Sequence, residues 1–102
     1  MRKNNAVDAV LRVLPSEVAP RRDEGRVLIT VDGRDVMLAP RMIGAGFPAD
    51  VRRALGEMTG PLQGVPVMVA AEMSAGAREL LRERRVSWAD RSGRAEIRDG
   101  QG

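Results

Sequence analysis

The sequence predicts an α/β fold: a single domain built on a mixed sheet, with an N-terminal antiparallel hairpin, a central parallel βαβ unit and helices on the faces. Three observations carry that expectation. Val67 to Ala70 is an apolar run without alternation, as in a strand covered on both faces of a parallel sheet. It leads through Ser74 into a helical stripe, Ala77, Leu80 and Leu81, and then into a second strand-like stretch, Val86-Ser-Trp-Ala. Upstream, two runs rich in branched residues, Arg26 to Val31 and Asp35 to Ile43, flank Asp32-Gly33, a pair that tolerates the positive φ of a tight hairpin turn.

From the amino end, Val7, Val10, Leu11 and Leu14 share one helical face, with Asn5 available as a cap and Pro15 as a stop, so a helix is expected from Asn5 to Leu14. Residues 15–25 are polar and aperiodic and carry two prolines; they read as a loop anchored at most by Val18. The chain thus divides into a helix plus loop (1–25), a sheet core (26–98) and a tail (99–102). Pro40 cannot donate a ladder bond, which suggests an edge position, a bulge or an early strand end near Ala39. Pro48 suits a first helical turn, and Val51, Ala54, Leu55 and Met58 follow at amphipathic spacing until Gly60-Pro61 ends the helix. Ser74 is placed to cap the next helix, whose last turn gathers Arg82, Arg84 and Arg85 at the negative end of its dipole. Val86 and Trp88 alternate with Ser87 and Ala89, so one face of that strand is expected to be less buried. Ser92-Gly93 joins it to a short antiparallel strand, Arg94 to Ile97. The methionines at 37, 42, 58, 68 and 73 lie in or beside apolar runs and read as core filler.

A chain of 102 residues, 43% apolar, can bury one modest core. It contains neither Cys nor His, which excludes disulfides, thiolate metal sites, imidazole acid–base catalysis and Ser-His or Cys-His nucleophiles; any catalysis would rest on carboxylates. Seventeen basic residues face fourteen acidic ones, for a net charge of +3, and every basic residue except Lys3 is arginine. Arginine suits phosphate through its planar fork, although so small a net charge says little about partners. The stretch Val10 to Leu14 is too short and too interrupted for a signal peptide or a membrane span, so a cytoplasmic protein with no membrane association is expected.

Three segments, Gly46-Phe-Pro-Ala-Asp-Val-Arg-Arg-Ala-Leu, Val67-Met-Val-Ala-Ala-Glu-Met-Ser-Ala-Gly-Ala-Arg-Glu-Leu-Leu and Ser87-Trp-Ala-Asp-Arg-Ser-Gly-Arg-Ala, resemble an actinobacterial group of restriction-endonuclease-like domains often joined to a winged helix. The likeness spans roughly Arg26 to Ile97. Active members of that superfamily place an Asp on one strand and Glu-x-Lys on the next, binding Mg²⁺ to activate water. Here the second motif would fall on Ala39-Pro40-Arg41, with neither carboxylate nor lysine, and arginine scarcely deprotonates. The resemblance therefore implies a degenerate nuclease fold in a DNA-associated, noncatalytic binding or regulatory role. The alternatives are a Mg²⁺-dependent nuclease using displaced carboxylates such as Asp32, Asp35 and Glu72, or a structural domain that forms a homodimer through an exposed sheet edge or helix face, with runs such as Asp35 to Leu38 near Pro40 the place to look.

No residue is assigned as catalytic or as a metal ligand, and no cofactor is expected. Asp32 and Asp35 suit a hairpin turn, Glu72 a solvated loop, and Trp88 a core position rather than a base-stacking platform. The candidate nucleic-acid contacts are Arg78, Arg82 and Arg85, which at about 100° per residue fall on one flank of the Ala77/Leu80/Leu81 stripe, with Glu79 and Glu83 on the other.

Overall fold

The computed structural model describes residues 5–58 and 64–98. Helix α1 (Asn5–Val13) buries Val7 and Val10 and half-buries Leu11, and the Asn5 backbone is already helical. A 3-10 turn, Ser16–Val18, follows, and Val18 packs against the core as expected.

The loop expected over residues 15–25 instead contains a strand, β1 (Arg21–Asp23), so the sheet begins at residue 21 rather than 26. Glu24 and Gly25 (φ 51° and 83°) form a two-residue left-handed turn like that of Asp32 and Gly33 (φ 52° and 79°), and the first turn sets Asp23 opposite Arg26. All three β1 residues are exposed, so no apolar alternation marks the strand in the sequence. Ion pairs fix it from outside, Arg22 with Asp8 of α1 and Arg21 with Asp35 at 3.8 Å.

The remaining elements are β2 (Arg26–Val31), β3 (Arg34–Gly44), α2 (Pro48–Glu57), β4 (Val65–Ala70), α3 (Ala75–Arg84), β5 (Ser87–Asp90) and β6 (Ala95–Glu96). The sheet runs β1-β2-β3-β4-β5-β6, with β3, β4 and β5 parallel and the other pairings antiparallel. The expected mixed α/β sheet is therefore present, with two successive crossovers, β3-α2-β4 and β4-α3-β5, rather than one. Crossovers of the same hand stepping in the same direction put both helices on one face. There α2 and α3 pack against each other over Ile43, Met68, Met73, Ala77, Leu81 and Trp88. Helix α1 covers the opposite face, touching β2 through β5 over Val27, Ile29, Leu38, Val67, Val69 and Ala89.

Cover on both faces overturns the expectation of a half-exposed β5: all four of its residues are buried. Trp88 lies in the core, as expected. Strand β3 does not end at Ala39 but continues to Gly44, with a register shift between Met42 and Gly44. Pro40 is tolerated because the β2 pairing stops at Leu38, which leaves Pro40 beside β4 alone. Asp35 to Leu38 is not a free edge: it pairs with β2, and the outer strands are β1 and β6. Both are short, and β1 is charged along its length, features that discourage strand addition. Met42 is 40% exposed, so it is not core filler; Met68 and Met73 are. Gly60-Pro61, Lys3 and the tail 99–102 lie outside the described residues. No described helix is long and apolar enough to cross a membrane.

Candidate functional site

In an open parallel sheet, ligands settle beyond the carboxyl ends of the strands, where the loops into the helices diverge. Here those ends are bound to one another. The loop after β3 and the loop after β4 are joined by two backbone bonds: the Glu72 amide donates to the Ala45 carbonyl (3.4 Å) and the Ser74 amide to the Gly46 carbonyl (2.9 Å). Gly46 (φ 111°) is required at that contact, since a Cβ there would lie 2.2 Å from the Glu72 carbonyl oxygen.

The loop after β4 is in turn fastened to the β5–β6 turn by Asp90. Its carboxylate, wholly buried, accepts from the Met73 amide (3.1 Å), the Ser92 amide (3.1 Å), the Ser92 hydroxyl (2.6 Å) and the Arg94 amide (3.0 Å). Burial pushes this carboxyl up. The hydrogen bonds from Ser92, Met73 and Arg94, with the Arg94 charge, outweigh that and hold it below the usual carboxylate range. Asp50 does similar work at the start of α2. Its Oδ2 accepts from the amides of Gly46 and Phe47, both at 3.0 Å, and these two bonds, Phe47 first, lower its pKa against an opposing desolvation, with further help from Arg53. The hydroxyl of Ser74 accepts from the Ala77 amide (3.1 Å), the cap the sequence predicts for α3.

Between the two loops lies an open cleft of about 490 Å³, walled by Ala45, Ala71, Ala75 and Met73 and rimmed by Phe47, Glu72, Arg78 and Arg94. Phe47 is 61% exposed. Glu72 is exposed as expected, and its Oε2 is held by Arg94 at 3.2 Å. With Asp90 saturated by donors and Asp50 occupied at the helix start, the cleft offers a flat ring and guanidinium groups: equipment for binding an anion or a planar group.

The structure keeps the sequence-predicted arginines on one helix and separates them by environment. Arg78 reaches the cleft, makes no ion pair among the described residues, and has a buried Nε without a hydrogen-bond partner. Arg82 is paired with Glu96 of β6 at 3.0 Å, which turns this flank of α3 toward the β6 edge. Arg85 is the C-cap, in the left-handed conformation (φ 56°), exposed and without an ion pair among the described residues. The alternative carboxylates do not converge. Asp32 lies in a hairpin turn, and Asp35 accepts from Thr30 at the start of β3. Glu72 follows the end of the parallel neighbour β4, so most of β3's length, roughly 30 Å, separates it from Asp35. That geometry removes the three as a shared metal site. Sequence reasoning assigned no role to Phe47, Asp50, Asp90 or Arg94. The available signals were an acid three residues into a helix, at Asp50, and the turn-forming Asp90-x-Ser-Gly-Arg.

These features define a six-stranded α/β domain with a preformed cleft at its parallel strand ends. No protein-family model, no curated protein and no solved structure matches the chain.

Proposed function

We propose that this chain is a noncatalytic nucleic-acid-binding module, contacting the phosphate backbone along the α3 flank of Arg78, Arg82 and Arg85, on a fold akin to a degenerate restriction endonuclease. The observation that carries the reading is the state of that flank. Two of its three guanidinium groups, those of Arg78 and Arg85, have no carboxylate partner among the described residues, and the Nε of Arg78 is buried without an acceptor. A buried donor left unpaired is costly, and an anion arriving at the flank relieves that cost. Some exposed arginines elsewhere are paired in place, Arg22 with Asp8, Arg41 with Glu57 and Arg53 with Asp50, while Arg12, Arg34, Arg52, Arg84 and Arg91 carry no ion pair among the described residues. Ala39-Pro40-Arg41 lies within the sheet opposite Pro66, Val67 and Met68, a position that supplies no metal ligand from those side chains.

The test is a titration of fluorescently labelled duplex DNA at two salt concentrations, with the wild type and with the triple variant Arg78→Ala/Arg82→Ala/Arg85→Ala. Binding is expected to be weak, indifferent to sequence and steeply salt-dependent. The log–log salt slope should fall by about 0.9 for each phosphate contact the variant loses. An unchanged affinity and slope in a variant with native circular dichroism refutes the assignment.

A further inference from the structure

We propose that the cleft beside this flank receives an unpaired nucleobase of a single strand, which stacks on Phe47 while Arg78 takes the adjoining phosphate. The inference rests on the nucleic-acid reading above and adds to it a preference for single strands.

Phe47 occupies the N-cap position of α2, where a small polar side chain ordinarily accepts from the first-turn amides. Its ring makes no such bond. Asp50 instead reaches back to the Gly46 and Phe47 amides, so the helix start is satisfied without the residue at 47. Stability gives no reason for a ring there, since it stands 61% exposed to water. Its backbone is nevertheless constrained. The backbone at Phe47 is extended (φ −90°, ψ 162°), Pro48 follows, and Gly46 before it is pressed against the loop after β4. An aromatic ring presented by a fixed backbone loses little conformational freedom on stacking, which is the condition for a productive platform.

The surroundings suit a nucleotide. Alanines at 45, 71 and 75 leave the walls flat, and the volume falls in the range of small-molecule sites. Arg78 lines the same cleft, its Nε buried beneath the surface without a partner, and Arg94 is oriented across it by Glu72 and Ser92. In a duplex the faces of the bases are covered by their neighbours, so only an unpaired or extruded base can offer its face to Phe47.

The experiment compares three fluorescein-labelled probes of equal length: oligothymidylate, the same backbone carrying abasic sites, and a blunt duplex. Each is titrated against the full chain as wild type, Phe47→Ala and Phe47→Trp. The wild type should prefer oligothymidylate. Phe47→Ala should weaken that complex about tenfold, within the span of one base–aromatic stack, and shift duplex binding by less than about twofold. Phe47→Trp should restore the affinity, and its new exposed indole should be quenched by oligothymidylate and not by the abasic strand. Equal losses on all probes, no loss on any, or an abasic strand that binds as well as oligothymidylate would each overturn the stacking site while leaving the backbone-binding reading intact. Failure of the wild type to bind any probe would remove both.

Discussion

Replacing Asp90 with alanine tests whether a single carboxylate holds the cleft together. Its two oxygens accept four hydrogen bonds, from residues 73, 92 and 94, and none of the side chain reaches solvent. Hydrogen bonds to a charged group contribute about 1.5–3 kcal/mol each, but four bonds to one group do not add, and neighbouring amides recover some water once the loop loosens. Removing the acceptor from such a network should cost about 3–5 kcal/mol, a large part of the roughly 5–15 kcal/mol that holds a small domain folded. Asp90→Asn keeps the shape but turns an amide N–H₂ toward groups that are all donors, so it should recover only part of the loss. Urea unfolding followed by the emission of Trp88, the chain's one tryptophan, reads the difference directly. Because the folded-state pKa of Asp90 is depressed, the stabilisation from its ionised form is complete above the unfolded value near 3.9. It is lost as pH falls from there toward the folded value, so the wild type should lose stability more steeply than Asp90→Ala below about pH 4. Asp50 is shifted the same way in both proteins and cancels in the comparison. An Asp90→Ala protein within about 1 kcal/mol of wild type at neutral pH would show that the loops hold their places without this group.

Trp88→Ala should destabilise by about 3–5 kcal/mol, measured by circular dichroism in urea, and a native emission maximum typical of fully hydrated indole would contradict the packing seen here. Trp88→Phe should cost less, because it also removes an indole N–H that is buried without an acceptor. Gly46→Ala should destabilise by at least about 2 kcal/mol, since a left-handed backbone and a collision with the Glu72 carbonyl act together; a thermal midpoint equal to wild type would refute the close approach of the two loops. Supercoiled plasmid should stay intact with Mg²⁺ or Mn²⁺; metal-dependent nicking that disappears in Asp32→Ala or Asp35→Ala would restore the nuclease alternative.

The elements legible in the sequence are those whose side chains repeat with the period of their backbone. Val67 to Ala70, the stripe of α2 and the hairpin at Asp32-Gly33 all announce themselves within a few residues. Strand β1 does not, because its pairing is a backbone matter and its side chains are all in water. The full burial of β5 is hidden for a different reason. Ser87 and Asp90 look like surface residues until Ser87 is seen exchanging hydrogen bonds with the Arg98 backbone and Asp90 gathering donors from two loops. The candidate site was half legible. Arg78, Arg82 and Arg85 follow from helical geometry, but the capture of Arg82 by Glu96, fourteen residues on, depends on where β6 returns. Phe47, between a glycine and a proline, reads as one more apolar residue, and only the fold shows that it faces outward.

The order of strands in space repeats their order along the chain, so during synthesis each strand can join a neighbour already made, and no strand has to be threaded between two others. Helix α1 is the exception. It is made first, yet its seat spans β2 through β5 and is complete only when the last parallel strand is in place. Until then the face carrying Val27, Leu38, Val67 and Val69 is an uncovered apolar surface, and the nascent helix has nowhere to bury Val7 and Val10. The assembly is thus sequential in its sheet and delayed in its cover. That interval is when the chain is most open to association with other unfinished copies of itself.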